Sequence, residues 1–159
     1  MSHTALYKAA KRGDAIAVRQ LLSGGLNPNA RLSRDSPLVA AAARGNTPIL
    51  RLLLDAGAKP DWCALQVAAY GNHAEAVQLL LSAGAPVEGR DGGTPLLNNL
   101  KYSGIPLERQ GRVRQLLREA GAKELPEVYL RWRWSILYGW RWRFRCLLYS
   151  LGWLPKRRQ

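Results

Sequence analysis

Four apolar runs, each held at a set distance from a leucine and a glycine, constrain this chain more than any other feature. They read Val18-Arg19-Gln20-Leu21-Leu22, Leu50-Arg51-Leu52-Leu53-Leu54, Val77-Gln78-Leu79-Leu80-Leu81 and Val113-Arg114-Gln115-Leu116-Leu117. A glycine follows each run, and a leucine opening a small-residue stretch precedes it. Leu6 to Gly25, Leu38 to Gly57 and Leu65 to Gly84 each span 19 residues, and Leu96 to Gly121 spans 25. The pattern is an internal repeat whose fourth copy carries six inserted residues. A unit this short cannot bury its own apolar face, so the four must stack into one quasi-linear core.

Within a unit, local chemistry predicts two short helices. Ser36-Pro37 and Thr94-Pro95 supply a hydroxyl N-cap and a proline in the first turn, where a missing N–H costs nothing. Ala9-Ala10, Ala41-Ala42 and Ala68-Ala69 let the first helix approach its neighbours closely. Gly13, Gly45 and Asn72 stand where a left-handed residue must turn the chain into the second helix. Gly57-Ala58 and Gly84-Ala85 end that second helix.

Thr-Pro-Leu, a double Ala, Gly, an apolar triplet and Gly-Ala are matched most fully by Ser36 to Asp61 and by Thr94 to Leu100. On these residues the chain resembles the ankyrin-repeat proteins over about residues 4–124. The resemblance implies an all-α solenoid of helix-turn-helix units at about 4–30, 36–61, 63–88 and 94–124, with residues 125–159 as a separate C-terminal cap or tail. Two departures stand out. The link from Gly57 to Leu65 is short, so the projecting finger there should be nearly absent, with Trp62 covering the gap. The fourth unit has Asn98-Asn99-Leu100 in place of the double Ala, and its insertion, Gly104 to Gly111, should bulge between its helices.

Charge is unevenly spread. Lys and Arg total 24 against 11 acidic side chains, a formal net charge of +13, which points to an acidic partner, nucleic acid or an anionic membrane surface. Hydrophobic residues at 47% and charged residues at 22% exclude wholesale disorder. Residues 1–124 hold 16 basic and 10 acidic side chains, whereas 125–159 hold 8 and 1, with five of the six Trp and the only Phe.

Three readings of that final stretch stay open. Phe144-Arg145-Cys146-Leu147-Leu148 before Gly152 echoes the apolar runs, as a degenerate fifth unit closing the solenoid would. Alternatively, Arg131, Trp132, Arg133 and Trp134, and again Arg141, Trp142, Arg143 and Phe144, alternate with strand period. A guanidinium face opposite an indole face suits an anionic membrane or single-stranded nucleic acid. A shifted reading frame in a GC-rich gene would leave the same composition.

Catalytic chemistry is not written into the chain. His3 and His73 stand alone, and His73 falls where the ankyrin pattern has a histidine that caps the second helix. Cys63 and Cys146 make neither a disulfide framework nor a metal-ligand spacing, so a reducing compartment is expected. Gly89 to Gly93 reads as a finger tip and not as a phosphate cradle. The opening residues lack a basic segment followed by an apolar run, and no stretch is apolar over about 18 positions, which predicts neither a secretory signal nor a membrane span.

The resemblance therefore implies a cytoplasmic, monomeric, non-catalytic scaffold without metal, cofactor or small-molecule substrate, with host-directed secretion left open. Carried onto this chain, the family's partner-facing positions are Lys8, Lys11, Arg12, Ala40, Arg44, Val67, Tyr70, Asn98, Lys101 and Tyr102. The finger tips add Arg34, Asp35, Arg90 and Asp91. Seven of these fourteen are basic and two acidic, which implies an acidic protein partner, with nucleic acid or an anionic membrane as the alternative ligand of the tail.

Overall fold

The structure, a computed structural model, describes residues 3–30, 36–89 and 95–125. The chain divides into two compact parts, Met1–Glu124 and Leu125–Gln159, and all the described helices lie in the first. The three readings of the Trp/Arg stretch fall outside the described residues.

The first three units are helical hairpins: α1 (His3–Arg12) with α2 (Ala15–Ser23), α3 (Pro37–Ala43) with α4 (Thr47–Asp55), and α5 (Trp62–Tyr70) with α6 (Ala74–Ser82). The fourth pairs a short α7 (Leu96–Asn99) with α8 (Gly111–Glu119), and the segment between them holds two 3-10 turns, Leu100–Tyr102 and Leu107–Gln110. Among the described residues there is no strand. First helices pack on first helices, α1 on α3 and α3 on α5, while second helices stack α2 on α4, α4 on α6 and α6 on α8.

Side-chain caps start the helices where the sequence provides them. Asp14 accepts from Ala17 N at 2.9 Å, Ser36 from Val39 N at 3.2 Å, Asn46 from Ile49 N at 3.2 Å and Asp61 from Ala64 N at 2.9 Å. Each such cap is worth about 1 kcal/mol. Each second helix ends on a left-handed glycine, after which the next residue's N–H returns to a carbonyl five residues back. Ala58 N to Leu53 O, Ala85 N to Leu80 O and Ala122 N to Leu117 O are all 2.9 Å. The alanine of each Gly-Ala pair at 58 and 85 is thereby buried.

The spine of the core is the buried row Leu6, Leu38, Leu65 and Leu96, faced by Val18, Leu50, Leu53, Val77 and Leu80. The fourth unit joins it one residue out of step with its apolar run. Aligned on the closing bonds, Leu117 takes the place of Leu53 and Leu80, and Arg114 falls where units one to three bury Val18, Leu50 and Val77. The shift is visible in the sequence, because Val113 stands 8 residues before Gly121 whereas Val18 stands 7 before Gly25. Arg114 is buried and satisfied there: Nη1 donates to Leu97 O at 3.1 Å and Nη2 binds Glu124.

One further expectation is corrected. His73 sits at the N-cap position of α6 but makes no side-chain cap bond. Its ring instead reaches back into the second unit, with Nε2 3.3 Å from Ala43 O. It fills the space above two glycines: a Cβ at Gly45 would lie 2.5 Å from Nδ1, and one at Gly71 2.5 Å from Cδ2. The insertion lies between the two helices of its unit with Gly104 and residues 106–109 exposed, and it is pinned from within: the buried Gln110 amide donates to Leu100 O at 3.0 Å, Ser103 Oγ at 3.1 Å and Ile105 O at 2.6 Å. Trp62 packs against Gly89, at the start of the following finger.

Two consequences follow for stability. Leu53→Ala and Leu80→Ala should each cost roughly 2–5 kcal/mol in chemical denaturation, as fully buried leucines do, and Leu21→Ala, at the half-buried equivalent position in the terminal first unit, clearly less. Gly45→Ala should cost more than Gly57→Ala, although both positions have positive φ. At Gly57 nothing lies within 4 Å, so only the backbone cost of about 1–2 kcal/mol applies. At Gly45 the methyl meets the imidazole, and the added His73→Ala should recover the excess.

Candidate partner-binding face

In the first three units the fifth and sixth residues after the buried leucine close the first helix, and in the fourth they lie in the 3-10 turn that follows it. They form two rows, Lys11, Ala43, Tyr70, Lys101 and Arg12, Arg44, Gly71, Tyr102. Lys11 and Arg12 occupy the last turn of α1 and Arg44 is the C-cap of α3, where cations complement the helix dipole. All three are exposed, as is Lys8 one turn earlier. Lys11 Nζ lies 5.6 Å from the centre of the Tyr7 ring, within cation–π range. Tyr70 ends α5 half-buried, its hydroxyl accepting from Gln66 Nε2 at 3.5 Å. Lys101 is half-buried in the 3-10 turn that Tyr102 closes.

Contacts between turns fix the spacing of these rows. The Asn46 amide lies over Gly13, 3.3 Å from where a Cβ would stand, and His73 occupies the same place relative to Gly45. Asn72, at φ 57, continues the series by donating its Nδ2 to Arg109 O at 2.9 Å. The structure therefore brings Lys11, Arg12, Arg44 and Tyr70 to the ends of directly packed helices.

Not every position carried over from the resemblance is available. Ala40 and Asn98 are buried, because their helices turn that side toward a neighbour, and Val67 is half-buried. Arg34, Asp35, Arg90 and Asp91 lie outside the described residues. Conversely, sequence reasoning missed Arg109, which is exposed beside the third unit's turn. Only the path of the insertion places it there, and no local signal announces that path.

The cations differ in what they face. Among the described residues Lys8, Arg12 and Arg44 have no carboxylate partner, whereas Arg114 and Arg118 both bind Glu124, Arg118 at 2.9 Å. The hydrogen bond from Arg118, aided by the Arg114 charge, holds the Glu124 carboxyl below its ordinary value. Among the described residues, no group of three or more His, Cys, Asp or Glu is placed to hold a metal ion, and no helix is long and apolar enough to cross a membrane.

Comparison with known proteins bears on the same residues. A family model of ankyrin repeats in three copies matches residues 1–62, and a single ankyrin repeat matches residues 61–92. The histone-lysine N-methyltransferase EHMT1 of Mus musculus is 39% identical over 62 residues. That similarity takes in 37% of this chain and 5% of the mouse protein.

The lowered Glu124 carboxyl predicts a pH dependence. Its contribution is complete above the ordinary carboxylate range and disappears as the pH falls through the lowered value. Glu124→Gln should reduce stability by roughly 0.5–1 kcal/mol at neutral pH, the scale of a part-exposed ion pair. Melting curves of variant and parent should converge in acid.

Proposed function

Since the chain belongs to the ankyrin-repeat family, whose repeats mediate protein–protein contact and are typically non-catalytic, we propose that it is a binding scaffold for an acidic protein. The face that engages the partner is built from the ends of the first helices. One observation carries this reading: Lys8, Lys11, Arg12 and Arg44 stand exposed on two adjacent units, and no carboxylate among the described residues neutralises them. Tyr70 supports it from the next unit, since aromatic and Arg side chains are enriched at interface centres. On this reading the protein works in the cytoplasm as a monomer and needs no cofactor.

A second reading rests on the tail, where Arg and Trp alternate between residues 131 and 145. It makes the ligand a nucleic acid or an anionic membrane, held by stacking and phosphate contacts.

Arg12→Glu combined with Arg44→Glu separates the two. Scaffold binding to the native acidic partner should weaken at least severalfold and fall steeply with salt, since exposed charges are screened beyond about 10 Å at 0.1 M. Stability should change by less than about 0.5 kcal/mol per site. Tail binding to oligonucleotide or anionic vesicles, followed by Trp fluorescence, should be untouched by the reversals and abolished by removing residues 125–159.

A further inference from the structure

The row of cations breaks at the third unit, and the fold does not let that unit fill the break itself. At the position of Arg12 and Arg44 the third unit has Gly71. A Cβ there would stand 2.5 Å from both Cδ2 and Nε2 of the His73 ring, so no side chain fits while the histidine is in place. The cation that stands exposed beside this turn is Arg109, which belongs to the insertion of the fourth unit.

Arg109 is held there by its backbone. Its N–H donates to Pro106 O at 3.0 Å, and its carbonyl accepts from Nδ2 of Asn72, the residue next to Gly71, at 2.9 Å. Gln110, which follows it, is buried and anchored through its amide to Leu100 O, Ser103 Oγ and Ile105 O. None of these bonds uses the guanidinium. Among the described residues no carboxylate pairs with it, although Glu75 in the first turn of α6 and the adjacent Glu108 are both exposed. The fold thus needs a backbone at position 109 and leaves the side chain to solvent. A cation on a backbone already fixed on both sides loses little further freedom when it meets an external anion, and a guanidinium can hold a carboxylate through two hydrogen bonds.

We propose that Arg109 is the third unit's contact for the acidic partner, supplied across the junction by the fourth unit, and that Asn72 is its positioning residue. The basic face then runs over three successive turns, at Arg12, Arg44 and Arg109. Those turns are joined by the Asn46 amide over Gly13, the His73 ring over Gly45 and the Asn72 bond to Arg109 O. The six inserted residues thereby carry a cation to a turn whose own position is closed. This rests on the scaffold reading above and extends it, because the partner must present carboxylates along three turns and not two.

The test titrates the full chain against a fluorescein-labelled oligoglutamate peptide, followed by fluorescence anisotropy at about 0.1 M salt. Arg109→Glu should weaken binding about threefold or more, the scale of an exposed ion pair reversed, and Arg109→Lys should keep most of the affinity. Arg51→Glu makes the same change of net charge at an exposed position of α4, outside the row. It should have clearly less effect, since charges beyond about 10 Å from the ligand are screened at that salt. Asn72→Gly keeps the left-handed backbone and removes the bond to Arg109 O. It should weaken binding in the parent chain and have no further effect in an Arg109→Gln background. Melting curves accompany each variant, and Arg109→Gln, which leaves every backbone bond in place, tests the charge even where Asn72→Gly folds poorly. A loss from Asn72→Gly that persists in the Arg109→Gln background would overturn the positioning role. Equal effects of Arg109→Glu and Arg51→Glu, with Arg12→Glu and Arg44→Glu each weakening binding further, would overturn the inference and leave the acidic-partner reading standing. Unchanged affinity on reversal of Arg12, Arg44 and Arg109 alike would overturn both.

Discussion

An imidazole ring between two glycines sets the geometry on which the rest of this array depends. His73 belongs to the third unit, but its Nε2 approaches Ala43 O of the second, and its ring occupies the space that a Cβ at Gly45 or Gly71 would need. Asn46 repeats the arrangement one unit earlier, over Gly13, and Asn72 extends it one unit later through Arg109 O. These contacts lie along one edge, where first helices give way to second helices. They decide how far apart successive helix ends stand, and so the distance between the cations those ends carry.

The opposite edge is joined differently. Asn29 holds the second unit by donating to Gly57 O at 2.9 Å and accepting from Lys59 N at 2.7 Å, and Glu88 accepts from Lys123 N at 2.9 Å. Asn29, Asp61 and Glu88 each stand four residues after a closing glycine, and Lys59, Pro86 and Lys123 each two after the next one. The middle pair cannot bond in this way because proline has no N–H to give. Asp61 caps its own helix instead, and Trp62 packs on Gly89 nearby. The junction of the second and third units thus lacks this finger bond and has the histidine wedge on its other edge.

Much of this was legible in the residues. Leucine and glycine intervals gave the four hairpins, Ser36-Pro37 gave the start of α3, and the Gly-Ala pairs gave the helix ends, because each follows from local stereochemistry. What escaped depends on which unit a side chain meets. His73 reads as a cap until the space above Gly45 is known. Ala40 and Asn98 read as partner-facing until neighbouring helices close over them. Gln110 lies in an insertion that reads only as a bulging loop, and its two carbonyl partners and one hydroxyl partner show that the loop is pinned from within. Arg114 was misplaced by matching apolar runs when the closing glycine is the better ruler. It fills an aliphatic position with a cation that Leu97 O and Glu124 satisfy.

The wedge also has a meaning for descent. Positions 45, 71 and 73 belong to two different repeats, yet none can drift freely without the others. A side chain gained at 45 or 71 has no room while the imidazole is present, and loss of the imidazole leaves two bare glycines with nothing to cover them. Repeats in such an array are therefore not interchangeable modules. Duplication of the third unit alone would set the copied ring against Asn72, which bears a side chain where Gly45 has none, so inheritance here acts on the junction and not on the repeat.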